Sequence, residues 1–404
     1  MKFPTNICHV LGTGLAALLL AAGAFGETLA APRRVLELTP GANNPRNSEG
    51  DMIALKDGSI LLVYTHYTAG SGGDNDPAYL GSRLSRDGGL TWSTTTQTVI
   101  PNEGGMNVMS VSLLRLKNGD LALFYLRKNS EADCRPVLRV SADEGASWGD
   151  PVLCVPDSEV NYYVLNNSRA TRLASGRIVL PLSMHAAANG RTVDGYGKLV
   201  CYYSDDEGAT WRHGQAPFAT YDEKGVRVTT QEPGLIELKD GRVMMYARTT
   251  HGQQWKFHSS DGCETWTAGS PSNIFGPCGP ATIKRLSTGD LVLVWNDHEY
   301  HDFHCGGSLA RLANSRVPLT VAISKDEGRT WRPRRVLEGK ASGWYCYISA
   351  LEHQGNLLLE YCAENNLQHS RVTVVPLAWL YADVPAPSEI GQPSGTSFNG
   401  FFND

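Results

Sequence analysis

The residue types best suited to chemistry here include three arginines that stand far apart in the chain: Arg46, Arg248 and Arg316. A guanidinium grips a carboxylate or phosphate through two parallel N–H bonds, so arginines that converge make a site for an anion. Segments of the same kind carry the carboxylates Glu49, Asp74, Asp76 and Glu232 and the amides Asn107 and Asn167. They also carry a further cation, Arg169, the imidazole of His185 and a tyrosine pair, Tyr345 and Tyr347. Gathered at one mouth, this set reads as a site for an anionic small ligand.

A pair of interleaved repeats can gather them. The first, S-x-D-x-G-x-[ST]-W, begins at Ser85, Ser141, Ser204 and Ser324, and a fifth copy from Ser259 has Cys263 in place of the glycine. Its tryptophans (Trp92, Trp148, Trp211, Trp266 and Trp331) lie 55 to 65 residues apart. The second is a leucine, a turn glycine and an apolar run, as in LKDGSILLVY, with glycines at 58, 119, 176, 241, 289 and 355. Six units of short strands at this period predict an all-β fold, a six-bladed β-propeller of four-stranded antiparallel blades. In each blade strand A ends at the turn glycine and B is the apolar run. Strand C leads into the S-x-D box, and D follows the tryptophan. The Asp and Gly of the box suit a tight turn and the tryptophan packs between sheets, so the boxes read as structural. The sixth unit has no box. Residues 371–381 read as its strand C, and residues 34–38 supply the missing outer strand, which closes the ring.

This topology sorts the loops. A–B turns and boxes lie at one end of every blade, and D–A and B–C connections lie at the other, where function concentrates. The candidate residues fall in the second group. Register sharpens the expectation: Glu49, Asn167, Glu232 and Tyr345 each lie six residues before the repeat leucine of their unit, taken as Leu55, Leu173, Leu238 and Leu351. Equivalent positions should point into one axial funnel, and Tyr347 shares the parity of Tyr345.

Composition narrows the function classes. At 41% apolar and 19% charged residues the chain is not a disordered one. A net charge of −5 argues against nucleic acid as a partner. Residues 1–30 read as an export signal, with Lys2 ahead of an apolar run from Val10 to Gly26. That run is glycine-interrupted and short of the ~20 residues of a membrane span, so a secreted or periplasmic chain with no span in its mature form is expected. Residues 31–383 are then the propeller, a monomer by expectation, and 384–404 a loose Pro/Gly/Ser-rich tail. The cysteines show no C-x-x-C spacing, and Cys346 and Cys362 flank a turn symmetrically enough to face each other on paired strands.

The boxes and the mouth residues together resemble the sialidase (neuraminidase) superfamily, in which the boxes are called Asp-boxes. The resemblance extends over residues ~34–381 by repeat logic. It implies that Arg46, Arg248 and Arg316 hold a sugar carboxylate, that Asp74 is the acid/base, and that a tyrosine paired with Glu232 is the nucleophile, Tyr345 by register and Tyr347 next. It implies no cofactor and no metal, and sialylated or other acidic glycans as partners. The chain departs from the family pattern in three places: PRNSEGD for the R-I-P motif, Asn107 for a substrate-contacting Asp, and Cys362 for a Glu that braces the first arginine, a task open to Glu49. Asn107, Asn167, Arg169, His185 and Glu49 are expected around the substrate, with Arg169 and His185 equally open to structural pairing.

Two other functions fit the same residues. One is a hydrolase or lyase for another acidic sugar, and the other is a carbohydrate-binding propeller without catalysis. The stretch NDHEYHDFHC (Asp297, His298, His301, Asp302, His304, Cys305) has a metal-like composition, but its spacing defines no site and a loop at the mouth is the expectation.

Overall fold

The computed structural model describes residues 30–185, 194–299, 315–340, 343–364 and 368–383. Within them the repeats become six antiparallel blades in a ring. Blade 1 is Asn47–Ala54, Ile60–Tyr67, Ala78–Ser85 and Gln97–Ile100. Blade 2 is Asn107–Arg115, Leu121–Ser130, Asp133–Ser141 and Val152–Leu153. Blade 3 carries Ile178–Met184 and Lys198–Ser204 at its centre, with Arg212–His213 outside and two short segments, Tyr163–Val164 and Thr171–Arg172, inside. Blade 4 is Gln231–Glu237, Val243–Arg248, Gln253–Ser259 and Ser270–Phe275. Blade 5 is Thr282–Arg285, Leu291–Asn296, Leu319–Ser324 and Arg334–Glu338. Blade 6 is Cys346–His353, Asn356–Ala363 and His369–Pro376, completed by Arg33–Leu38 from the beginning of the chain. The expected closure holds. The expected last strand stops early, because after Pro376 residues Leu377–Tyr381 turn into a short helix.

The apolar run of each second strand explains the ring. Side chains alternate between the two faces of a strand, so a run that is apolar throughout needs a neighbour on both sides. Ile60, Leu62 and Tyr64 pack against Leu358, Val372 and Val374 of blade 6. Leu61 and Val63, from the same strand, pack against Val111, Leu113 and Leu123 of blade 2. The pattern repeats around the circle: Ala122 and Phe124 against Ile178 and Leu180, Val179 against Val243 and Met245, Met244 against Leu291 and Leu293, and Val292 against Leu357 and Leu359. A core of this kind, distributed between blades, leaves the axis to other residues.

The boxes are hydrogen-bonded turns. Asp143 Oδ1 accepts from the Ser147 N–H and the Ser141 hydroxyl, both at 2.8 Å, and Asp206 repeats this with Thr210 and Ser204. Trp211 stands edge-on to Phe124 of the neighbouring blade, with centroids 5.9 Å apart. Among the described residues, no helix is long and apolar enough to cross a membrane. Residues 1–29 of the expected leader at 1–30, the expected tail at 384–404 and residues His301, Asp302, His304 and Cys305 lie outside the described residues.

Candidate active site

Four of the innermost strands break register near their start, between Ser48 and Asp51, Met109 and Ser112, Gln231 and Gly234, and Cys346 and Ser349. The first extra residue in each break is left-handed: Glu49 at φ 54°, Ser110 at 60°, Glu232 at 48° and Tyr347 at 57°. A non-glycine residue in that region costs about 1–2 kcal/mol. The bulge redirects its side chain out of the blade-to-blade cores. Gly50, next to Glu49, is required by a close approach, since a Cβ there would lie 2.9 Å from the Val63 carbonyl. Asn167 ties two bulges together across the ring, its Nδ2 donating to Gly50 O at 2.8 Å and to Tyr347 O at 2.9 Å.

The bulged residues line a cavity of about 180 Å³ with Asp74, Lys128, His185 and Arg248. Tyr347 Oη donates to Glu232 Oε1 at 3.4 Å, and Glu232 Oε2 lies 2.9 Å from Arg248 Nη1. Arg316 lies 5.4 Å from the centre of the Tyr347 ring and equally far from that of Trp344. Arg46 is buried, with Nη1 2.6 Å from Asp74 Oδ1, Nη2 donating to Ser48 Oγ at 2.8 Å, and Glu49 Oε2 3.8 Å away. Asp74 is its one solvent-reached partner, with 65% of its side chain exposed. The loop backbone beneath that carboxylate is fixed: Asn107 Nδ2 donates to the carbonyls of Asp74 and Asp76, and Lys128 Nζ to that of Asp74 at 2.6 Å. Among the buried polar atoms without a hydrogen-bond partner, Arg46 Nε, Asn166 Nδ2 and Arg316 Nη1 lie at this cavity or its wall and others lie elsewhere in the blades, while Glu232 Oε2 and Arg248 Nη1 are held by their mutual ion pair.

Burial and environment set the charges. Burial pushes the Glu49 carboxyl up to about 7 against the pull of Arg46. Burial also acts to raise Asp74, but the charge and hydrogen bond of Arg46 prevail and hold it below the usual carboxylate range. Burial, then the charge of Glu232, keeps the Tyr347 phenol protonated far above its ordinary range despite Arg316 and Arg248. Burial lowers His185, whose Nδ1 lies 2.6 Å from Asp194 O. A neutral phenol beside a carboxylate, with guanidinium groups around the pair, can bind an anion and pass a proton from Tyr347 to Glu232.

The residues expected from sequence separate into two groups. Glu49, Asp74, Glu232, Arg248, Tyr347 and His185 line the cavity, and Arg46 and Arg316 back it. Tyr345 does not belong there: its ring is fully buried in the core between blades 5 and 6, tilted against Tyr361 with centroids 6.3 Å apart. The register count slips because the sixth turn is one residue shorter. His353 pairs with Asn356 across Gln354 and Gly355 and takes the position of Leu55, so six residues back is Tyr347. Arg169 is also displaced from its expected place, its guanidinium bonded behind the site to Ala281 O and Tyr246 Oη. The amide nitrogens of Asn107 and Asn167 hold backbone rather than face the cavity. Cys346 and Cys362 do face each other, as unbonded thiols. Asp297 pairs with Arg334 at 3.3 Å, and among the described residues no group of three or more His, Cys, Asp or Glu could hold a metal. Sequence reading missed Lys128, Tyr162 and Ser110. Only Ser110 carried a signal, lying six residues before Leu116.

Comparison with known proteins fits this geometry. The profile of the BNR repeat-like domain family matches residues 107–359. A sialidase of Micromonospora viridifaciens is 26% identical over 364 residues, which are 80% of this chain and 50% of that protein. An anhydrosialidase of Macrobdella decora is 29% identical over 158 residues, 37% of this chain and 18% of that one. The chain thus spans half or less of these relatives' lengths. Among solved structures, a Trypanosoma rangeli sialidase in complex with 2,3-difluorosialic acid, described as a covalent intermediate, superposes with a TM-score of 0.62 at 18% identity. That match covers 86% of this chain and 60% of that one, a likeness of fold.

Proposed function

This chain belongs to the BNR repeat-like family and to the sialidase superfamily, and on that premise we propose that it is an exo-acting, retaining glycosidase that releases terminal sialic acid from glycans. The observation that carries the reading is Tyr347 beside Glu232, with Arg248 paired to that glutamate and Arg316 against the tyrosine ring. The anomeric carbon of a sialoside bears a carboxylate, which repels an anionic nucleophile. A neutral phenol meets no such repulsion, and sialidases are the tyrosine exception among glycosidases. Tyr347 Oη attacks the anomeric carbon as Glu232 takes its proton, and Asp74 protonates the departing glycosidic oxygen. Asp74 then deprotonates the water that releases the sugar, with net retention.

The pairing of Asp74 with Arg46 gives that sequence an order. In the free protein Asp74 is ionised on Arg46 and is a poor acid. When the substrate carboxylate takes Arg46, Asp74 loses the bond that holds its pKa down and gains an anionic neighbour. It can then carry a proton, while Asn107 and Lys128 keep its backbone in place. An export leader at 1–30 would deliver the protein to extracellular or periplasmic glycans.

The test is release of the fluorophore from a fluorogenic sialoside, with the first-formed anomer read by NMR. The reading requires sialic acid released with retention and a turnover that collapses in Tyr347→Phe. A wild-type chain inert toward sialosides, or a Tyr347→Phe variant at near-normal rate, would overturn it.

A further inference from the structure

Two of the arginines flank one pair of buried cysteines. Arg46 Nη2 donates to Ser48 Oγ at 2.8 Å, and Cys362 Sγ lies 3.3 Å from the same oxygen. Cys362 is the direct cross-strand partner of Cys346, the one such cysteine pair among the described strands. Arg316 runs beside this pair, its carbonyl accepting from the Tyr345 N–H at 3.1 Å and its guanidinium charge acting on Cys346. Both sulfurs are fully buried. Cα atoms of directly paired antiparallel residues stand ~4.5–5.5 Å apart, within the range a disulfide spans. The charges are asymmetric. Burial acts to raise Cys346, but the neighbouring Cys362 and the charge of Arg316 outweigh it and lower its pKa, whereas burial and the neighbouring Cys346 keep Cys362 protonated.

We propose that Cys346 and Cys362 form a thiol–disulfide site whose reduced state masks Arg316 and whose oxidised state exposes it to a ligand carboxylate. The reagent is an external disulfide, either glutathione disulfide or a disulfide-bonded oxidoreductase. The Cys346 thiolate attacks one of its sulfurs and expels a thiolate, leaving a mixed disulfide. Cys362 gives up its proton and attacks Cys346 Sγ, which expels the second thiolate and leaves the Cys346–Cys362 bond. Two protein thiols are oxidised and one external disulfide is reduced to two thiols, which take up the proton Cys346 loses on forming its thiolate and the proton Cys362 gives up. Because neither sulfur reaches solvent, exchange occurs before blade 6 closes or when it opens locally. The bond ties Cys346 Sγ to Cys362 and takes it away from Arg316, whose Nη2 keeps its bond to the Cys278 carbonyl at 3.4 Å. It also removes the Cys362 proton from Ser48.

The full chain is equilibrated in buffers of oxidised and reduced dithiothreitol and quenched by alkylation, then mapped by mass spectrometry. In parallel, Arg316 is labelled with phenylglyoxal. The expected result is a 346–362 cross-linked peptide that grows with oxidising poise and is absent from Cys362→Ser, with labelling of Arg316 several-fold faster in the oxidised protein. Alkylation of both thiols across the whole range overturns the site. A cross-link that leaves Arg316 labelling unchanged overturns the masking. Affinity for an unsaturated sialic acid analogue, which rests on the proposed function, should be several-fold tighter in the oxidised form and redox-independent in the double Cys→Ser variant. An analogue that binds neither form tells against the sialoside reading and leaves the cross-link and labelling results standing.

Discussion

The two ends of the propeller use the same backbone device for opposite purposes. At the box end, Glu144, Glu207 and Glu327 are left-handed, with φ of 58° to 60°. Each accepts the first N–H of the previous blade's A–B turn: Lys56 N at 2.9 Å, Lys117 N at 2.9 Å and Lys239 N at 2.8 Å. Each is also bonded by an arginine of its own blade, Arg115, Arg172 or Arg285. At the mouth, Glu49, Ser110, Glu232 and Tyr347 adopt the same conformation in bulges, and their side chains line the cavity. One end spends its strain on satisfied clasps between blades, and the other on groups kept ready for a ligand. Removing mouth residues should therefore cost activity and spare stability, and removing box residues should do the reverse.

The largest effect expected is that of Tyr347→Phe. Turnover should fall by ~10³-fold or more, while unfolding changes by about 1 kcal/mol, the value of one weak buried hydrogen bond. Large destabilisation with retained turnover would place Tyr347 with the structural residues. Next is Arg316→Met. A buried guanidinium pairs poorly here, with its Nη1 unbonded and one long bond from Nη2. Its removal should lower kcat/KM by ~10²–10³-fold, about 3–4 kcal/mol, yet raise stability by about 1 kcal/mol. A drop in Tm in that variant would break the contrast between the two ends.

The fold was legible because each signal was repeated: six turn glycines, five boxes and six two-faced apolar runs all demand one ring. The site was partly legible. Glu49 and Glu232 followed from register because their units share one turn length, so a count from the leucine reaches the bulge. Tyr347 was reached only as an alternate, since the sixth turn is shorter and Leu351 stands two residues ahead of the position His353 fills. Arg169 shares the loop composition of the true mouth residues and still points behind the cavity. A sequence gives its segment but not the direction of a long side chain. Lys128 lies near the end of the strand Leu121–Ser130 with ordinary spacing and nothing singles it out.

Acid and base should act on opposite ends. Glu49 has a folded pKa of about 7, above the usual 4.5. Its contribution to stability is complete below about pH 4.5 and is lost as pH rises through 7. Over the same interval its ionisation offsets the charge of Arg46, so KM for an anionic substrate should rise several-fold, and Glu49→Gln should flatten both profiles. Glu144 behaves oppositely: the Arg115 hydrogen bond lowers it from 4.5 to about 2, so its clasp is intact above about pH 4.5 and lost as pH falls toward 2. An unchanged KM profile in Glu49→Gln would remove Glu49 from the mouth's electrostatics.

The smallest effect tests the clasp itself. Blade 4 has Gly262 where Glu144 stands in the blade 2 box, and blade 6 has no box. In both, the strand-A residue that is arginine in blades 2, 3 and 5 is a glutamate instead, and it makes the clasp: Glu237 to Ala174 N and Glu352 to Ser287 N, both at 2.7 Å. Arginine therefore accompanies the box glutamate in blades 2, 3 and 5, and glutamate accompanies its absence in blades 4 and 6, while blade 1 has neither, with Gly88 in its box and Ala54 on its strand A. Glu237→Arg should cost about 1 kcal/mol, since it removes a charged acceptor from a partly exposed N–H. Adding Gly262→Glu should restore most of that loss by giving blade 4 the arrangement of blades 2, 3 and 5. Gly262 is already left-handed at φ 71°, and a Cβ there meets nothing closer than Arg177 Nη1 at 3.5 Å. Denaturation of the two single variants and the double variant gives the coupling energy, and strictly additive losses would mean that the glutamates at the two positions do not replace one another. Sialoside turnover, measured on the same proteins, should stay at the wild-type rate throughout, because the clasp lies at the opposite end from Tyr347.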